Sequence, residues 1–163
     1  MIQIRPIRPD EWFTAKRLIY RVARDIFNTQ RPLEELIDEF ESQGELSDMD
    51  DIKEAYFENG GIFLVTTDGD QLVGTGAIRR FEGDMCELKR LWFLTEYHGR
   101  GLGYRMMQEL LQFARGHGYR SIRLETHPLQ QKRAVDFYAR LGFHQVPIPN
   151  AIMDEDILME MDL

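Results

Sequence analysis

The chain has 163 residues, 43% hydrophobic and 29% charged, the proportions of a soluble globular protein; its length favours one domain, residues 1–163, with one sizeable core. No apolar run approaches the ~20 residues of a membrane span, and a net charge of −8 disfavours binding to nucleic acid. The lone Cys86 excludes an internal disulfide framework and suits a reducing cytoplasm, and the four scattered histidines lack metal-ligand spacing, so no metal is expected.

Met1-Ile-Gln-Ile-Arg is not a signal peptide, and Ile2-Gln-Ile-Arg-Pro-Ile alternates as a first strand. Pro9-Asp10-Glu11 opens a helix to about Phe27, with Asp10 as cap or first-turn acid. Its apolar face is Trp12, Ala15, Leu18, Ile19, Val22 and Ile26. A second helix starts at Pro32, with Leu33, Leu36, Ile37 and Phe40 inward. Residues 41–52 read as an acidic connector, and Ile52 to Phe57 as a further helical turn ended by Asn59-Gly60-Gly61.

Ile62-Phe-Leu-Val-Thr and Gln71-Leu-Val-Gly-Thr-Gly-Ala-Ile-Arg are strands, joined by a hairpin at Thr67-Asp68-Gly69-Asp70. Arg79, Arg80 and Phe81 end the second of them, where a strand-end charge pair or a carboxylate site would each account for the arginines. After a turn at Gly83-Asp84 comes the strand Glu87–Leu94, then Gly99, Gly101 and Gly103, then a helix from Leu102 to about Gly116. Ser121–Thr126 follows directly from that helix, so it should lie parallel to Glu87–Leu94 as a βαβ unit. Pro128 opens a helix to Leu141, Phe143-His-Gln-Val begins a strand, and Asp156–Leu163 closes the sheet.

Strand, glycine loop and helix together present bare backbone N–H groups to an anion. No Lys-Ser or Lys-Thr follows the glycines, which excludes a P-loop, and no acidic strand end lies where a Rossmann ribose clamp needs one. His98-Gly99-Arg100-Gly101-Leu102-Gly103 instead resembles the pyrophosphate loop of the GNAT superfamily of acyl-CoA-dependent N-acyltransferases, usually written Gln/Arg-x-x-Gly-x-Gly/Ala. Glu87-Leu-Lys-Arg-Leu-Trp-Phe resembles the strand before that loop. Ala134-Val-Asp-Phe-Tyr138-Ala-Arg-Leu-Gly142-Phe143 resembles the family's second helix. The resemblance covers residues 62–163, and the N-terminal third by position only.

The resemblance implies an α/β fold: a mixed, mostly antiparallel sheet with a central parallel strand pair and helices on both faces. It implies transfer of an acetyl group from acetyl-CoA, as co-substrate, to the primary amine of a small molecule or amino acid by direct attack. A non-catalytic acyl-CoA-binding module and a protein N-acetyltransferase are the alternatives, and a homodimer is compatible on family analogy. The loop would hold the pyrophosphate through the amides of Gly99, Arg100, Gly101, Leu102, Gly103 and Tyr104, with charge from Arg100 and Arg105, and with His98 in place of the usual Gln or Arg. Leu91, Trp92 and Phe93 occupy the stretch whose backbone pairs with the pantetheine arm like an added strand, and Gln131 stands where the family often has Asn.

Direct attack needs a proton acceptor, because a lysine-like amine titrates near ~10.4 and its neutral form costs roughly 4.6 kcal/mol at pH 7. Glu87 stands where one branch of the family carries a base, Glu125 where another does, and a water chain is the third option. Strict alternation puts Glu87, Lys89, Leu91 and Phe93 on one face and Leu88, Arg90, Trp92 and Leu94 on the other, so Lys89 is a candidate ion-pair partner for Glu87. Tyr138 stands where most members have a tyrosine facing the cofactor sulfur.

Overall fold

A computed structural model of the chain describes residues 1–27, 29–126, 132–149 and 156–163. Seven strands form one sheet in the order β1-β2-β3-β4-β5-β7-β6: β1 (Ile2–Pro6), β2 (Ile62–Asp68), β3 (Gln71–Glu82), β4 (Met85–Phe93), β5 (Ser121–Thr126), β6 (His144–Val146) and β7 (Ile157–Asp162). Every neighbouring pair is antiparallel except β4 and β5, which α3 (Leu102–Gly116) connects as the expected parallel unit. The last strand does not end the sheet: β7 inserts between β5 and β6, leaving the short β6 at the edge.

Helices cover both faces. On one, Leu64 of β2, Ile78 of β3 and Cys86 and Leu88 of β4 meet Met106, Met107, Leu110 and Ala114 of α3, along with Tyr138 of α4 (Lys132–Leu141). On the other, Phe63, Val65, Val73 and Ala77 meet Ala15, Leu18, Ile19 and Val22 of α1 (Trp12–Ile26). Neighbouring strand residues thus feed opposite cores, as the pleat requires. Each large apolar side chain buried this way contributes roughly 1.5–3 kcal/mol. The expected opening of the fourth helix at Pro128 lies outside the described residues.

Asp10 lies in the first turn as expected, beside Glu11, which makes the capping contacts: its carboxylate accepts from the Arg8 N–H at 2.9 Å and from Arg5 at 2.6 Å. The second helix, α2 (Leu33–Ser42), buries Leu36. The acidic connector, residues 41–52, also contributes to the core. Leu46, Met49 and Ile52, three residues apart, are all buried in the α1-side core through a short 3₁₀ turn at Ser47–Met49. A spacing of three matches the repeat of such a turn, and the acidic residues between them mask that apolar stripe.

Alternation along β4 is also broken. Ala77 pairs with Lys89, but Thr75 pairs with Trp92, so β4 carries one residue more than β3 between these points. That residue makes a β-bulge, and Arg90 takes φ +57°, the one positive value among the described non-glycine residues. The Thr75 hydroxyl fixes the distortion by donating to the Arg90 carbonyl at 2.7 Å. Past the bulge the faces exchange: Leu88, Leu91 and Phe93 now share the α3-side core, while Trp92 and Leu94 share the α1-side core.

Candidate active site

β4 and β5 pair only at Met85–Ser121, Cys86–Ile122 and Glu87–Arg123. The bulge then turns β4 away, and the strands part around a cavity of about 360 Å³. Leu88, Leu91 and Tyr138 line it from the α3-side core and Trp92 from the α1-side core, so the opening runs through the sheet. Of the sequence-predicted residues, Glu87, Leu91, Trp92, Glu125 and Tyr138 meet here. Phe93 does not; it is buried in the α3-side core. Gln131 lies outside the described residues.

The two candidate bases differ in setting. Glu87 is mostly buried, and its Oε1 accepts from Arg79 Nε at 2.7 Å. The expected pairing with Lys89 is therefore not made; the cross-strand register places Arg79 directly opposite Glu87 instead. Oε2 of Glu87 has no partner among the described residues. Glu125 is exposed and pairs with Arg123 at 2.5 Å.

Tyr138 is 7% exposed, edge-on to both Phe137 and Phe143. Its hydroxyl has no hydrogen-bond partner among the described residues, and burial pushes its pKa well above the usual tyrosine value. It is therefore a protonated donor at neutral pH, facing a cavity.

The glycine loop is a separate feature at the start of α3. A 3₁₀ turn, Thr95–Tyr97, leads to Gly99 and Gly101, both at φ +75°, a left-handed conformation that side chains resist. Gly101 caps α3, and its carbonyl receives the Arg105 N–H at 3.1 Å. The N–H groups of Gly99 to Tyr104 make no hydrogen bond to another described residue, and a Cβ added at Gly99 or Gly101 would meet open space. Bare N–H groups at the positive end of a helix form an anion cradle.

The loop's side chains turn elsewhere. Nε2 of His98 lies 3.0 Å from the Phe93 carbonyl; a carbonyl only accepts, so that nitrogen is the donor. Arg100 donates to the Glu96 carbonyl at 3.1 Å and stacks on Tyr97, whose hydroxyl donates to Asp68 at 2.7 Å. Leu102 is buried, and Tyr104 and Arg105 are exposed at the first turn. Gly103 faces Phe137, neighbour of Tyr138, linking loop and cleft.

Sequence reasoning missed one participant and named another only as part of a strand end. Asp48, from the acidic connector, accepts from Arg90 Nη2 at 2.5 Å and Nε at 3.1 Å, and also from the Tyr56 hydroxyl. Burial opposes ionisation of Asp48, but the hydrogen bonds and charge of Arg90 outweigh it and hold the carboxyl below the usual range. Phe81 forms one wall of the cleft, with the Arg123 guanidinium 4.0 Å from its ring centre. No residue spacing announces Asp48, whose place depends on the bulge and on chain distant in sequence.

A family model described as Acetyltransferase (GNAT) family matches residues 25–143. N-acetyltransferase 8F1 of Rattus norvegicus is 34% identical over 104 residues, covering 61% of this chain and 47% of the relative. The uncharacterized N-acetyltransferase YjgM of Escherichia coli is 30% identical over 101 residues, 60% of each chain. The matched stretch thus spans about half the length of the curated relatives. Among solved structures, a GNAT-family acetyltransferase of Staphylococcus aureus superposes with a TM-score of 0.81 at 18% identity over 99% of both chains. The Paia N-acetyltransferase of Thermoplasma acidophilum, solved in complex with coenzyme A, gives a TM-score of 0.78 at 17% identity over 100% of this chain and 99% of that one.

Proposed function

The chain belongs to the acetyltransferase (GNAT) family, and from that premise we propose that it transfers an acetyl group from acetyl-CoA to a primary amine of a small molecule. The observation that carries this reading is the parting of β4 from β5 just after the Glu87–Arg123 pair, with a carboxylate and a phenol both lining the gap. Main-chain groups of β4 beyond Glu87 have no β5 partner, so an extended pantetheine arm could pair with them as an added strand. The amides of Gly99 to Tyr104 would then hold the pyrophosphate.

In this arrangement the acceptor nitrogen attacks the thioester carbonyl carbon and must lose a proton. Glu87 takes it through the unpartnered Oε2, directly or by way of a water, while Arg79 keeps Oε1 fixed. The carbon–sulfur bond breaks and the electron pair leaves on sulfur. A thiol titrates near ~8.5 and a tyrosine near ~10, so full proton transfer from a phenol is uphill by roughly 2 kcal/mol, and burial of Tyr138 widens that gap. Tyr138 therefore serves by hydrogen-bonding the departing thiolate.

Thiol release from acetyl-CoA against a panel of amines tests the reading, with each product identified by mass. Turnover of at least one small amine is the expected result. Tight acetyl-CoA binding by calorimetry with no turnover on any amine would instead make the chain a binding module.

A further inference from the structure

Three cationic side chains line the cleft: Lys89, Arg90 and Arg123. Arg90 is closed on Asp48 at 2.5 Å, and Arg123 pairs with Glu125 at 2.5 Å through Nη2, its buried Nε having no hydrogen-bond partner among the described residues. Behind them Arg79 is closed on Glu87 at 2.7 Å. Lys89 alone among these has neither an ion pair nor a hydrogen bond to a described residue. The carboxylates that line the same space are Glu87, engaged through Oε1, Glu125, engaged with Arg123, and the exposed Asp156.

The bulge gives Lys89 its position. Lys89 sits opposite Ala77 and Glu87 opposite Arg79, both before the extra residue, so the two side chains leave β4 on the α1 side. They stand one pleat repeat apart, roughly 7 Å along the strand. Leu91 and Tyr138 belong to the opposite core, the side on which the acyl donor would enter. Half-burial, and then the charge of Arg90, lower the ease with which Lys89 holds its proton. Glu87 and Asp48 offset this through space without touching the ammonium, so a half-buried ammonium with no direct partner is left open to a ligand that supplies one.

We propose that the acceptor carries a carboxylate as well as an amine, and that Lys89 binds this carboxylate while the amine faces Glu87. This rests on the acetyltransferase reading and narrows it to amino-acid-like acceptors. The lysine end group is a flexible point charge, suited to a carboxylate that differs in distance from the amine among related acceptors. Arg123, fixed by Glu125 and by the Phe81 ring, instead shapes the wall.

The test compares the twenty L-amino acids with their amides, each with acetyl-CoA, by thiol release. For the best acid, kcat/KM should exceed that of its amide by at least tenfold. In Lys89→Met that ratio should fall toward one, mainly through a raised KM for the acid. Lys89→Arg, which keeps the charge, should restore much of the preference and guards against a purely structural defect. Amides turned over as well as acids, or an unchanged ratio in Lys89→Met, would overturn the proposal and leave the acetyltransferase reading standing. No turnover of any of these acids or amides, with acetyl-CoA bound, would overturn the proposal and leave the acetyltransferase reading to the wider amine panel.

Discussion

Asp48 and Arg90 meet at 2.5 Å across forty-one intervening residues, and Arg90 is the bulged residue that separates β4 from β5. The side chains are 12% and 18% exposed, so the pair is largely withdrawn from water. A stretch of irregular chain therefore braces the distortion that opens the cleft.

Removing Asp48 should leave the Arg90 charge buried and alone. Asp48→Ala is expected to lower stability by about 3 kcal/mol, the range found when one partner of a buried pair is deleted. The sign with pH follows from the depressed carboxyl of Asp48. Its contribution is fully present above the ordinary aspartate pKa of ~3.9 and is lost as pH falls through the lower folded value. Urea titrations at pH 7 and pH 3 should show a smaller difference in Asp48→Asn than in the parent.

Gly101 separates backbone strain from charge at the loop. Gly101→Ala should cost about 1–2 kcal/mol, because alanine resists the left-handed region, while the open space around it accepts the methyl group. Gly101→Glu should carry that same cost and also abolish acetyl-CoA binding, since a carboxylate would face the pyrophosphate. Calorimetry with unchanged affinity in Gly101→Glu would detach the loop from this role.

Tyr138→Phe keeps the ring and deletes only a hydroxyl that has no partner among the described residues. Stability should hold or rise slightly, because no native hydrogen bond is lost. If the hydroxyl serves the departing sulfur, kcat should drop by roughly 10²-fold with little change in the KM for acetyl-CoA. A stability loss with intact kcat would reduce Tyr138 to packing.

Glu87→Gln keeps an oxygen that Arg79 can still bond but removes the basic site. The deficit in kcat/KM should be largest at neutral pH and shrink as pH approaches the amine's own pKa near ~10.4, where little proton transfer remains to be done. A defect independent of pH, measured on an acceptor that wild type turns over, would assign Glu87 to structure or binding.

Element identity was legible in the sequence because each strand and long helix carries its own period. Val22 and Met106 announce helix faces locally, and Asp68-Gly69 announces a hairpin locally. What escaped depends on counting across strands. One extra residue at Arg90 reverses the faces of Leu91 and Trp92, and nothing in Leu-Lys-Arg-Leu-Trp marks where it sits. The partner of Glu87 was missed for the same reason: register with Arg79 is a property of two strands, not of one. At the cleft, position in the motif drew attention to Glu87 and Tyr138, and strand position to Phe81, whereas Asp48 reaches its place through tertiary packing.

The brevity of the β4–β5 ladder has a further consequence. Three paired positions join a four-stranded panel, β1 to β4, to a three-stranded one, β5 to β7. If the acyl donor supplies the missing rungs, it is a structural member as well as a reactant. At a hundred times its dissociation constant it would add about 2.7 kcal/mol to the folded state. The lifetime of this protein before a protease would then rise and fall with the supply of acetyl-CoA.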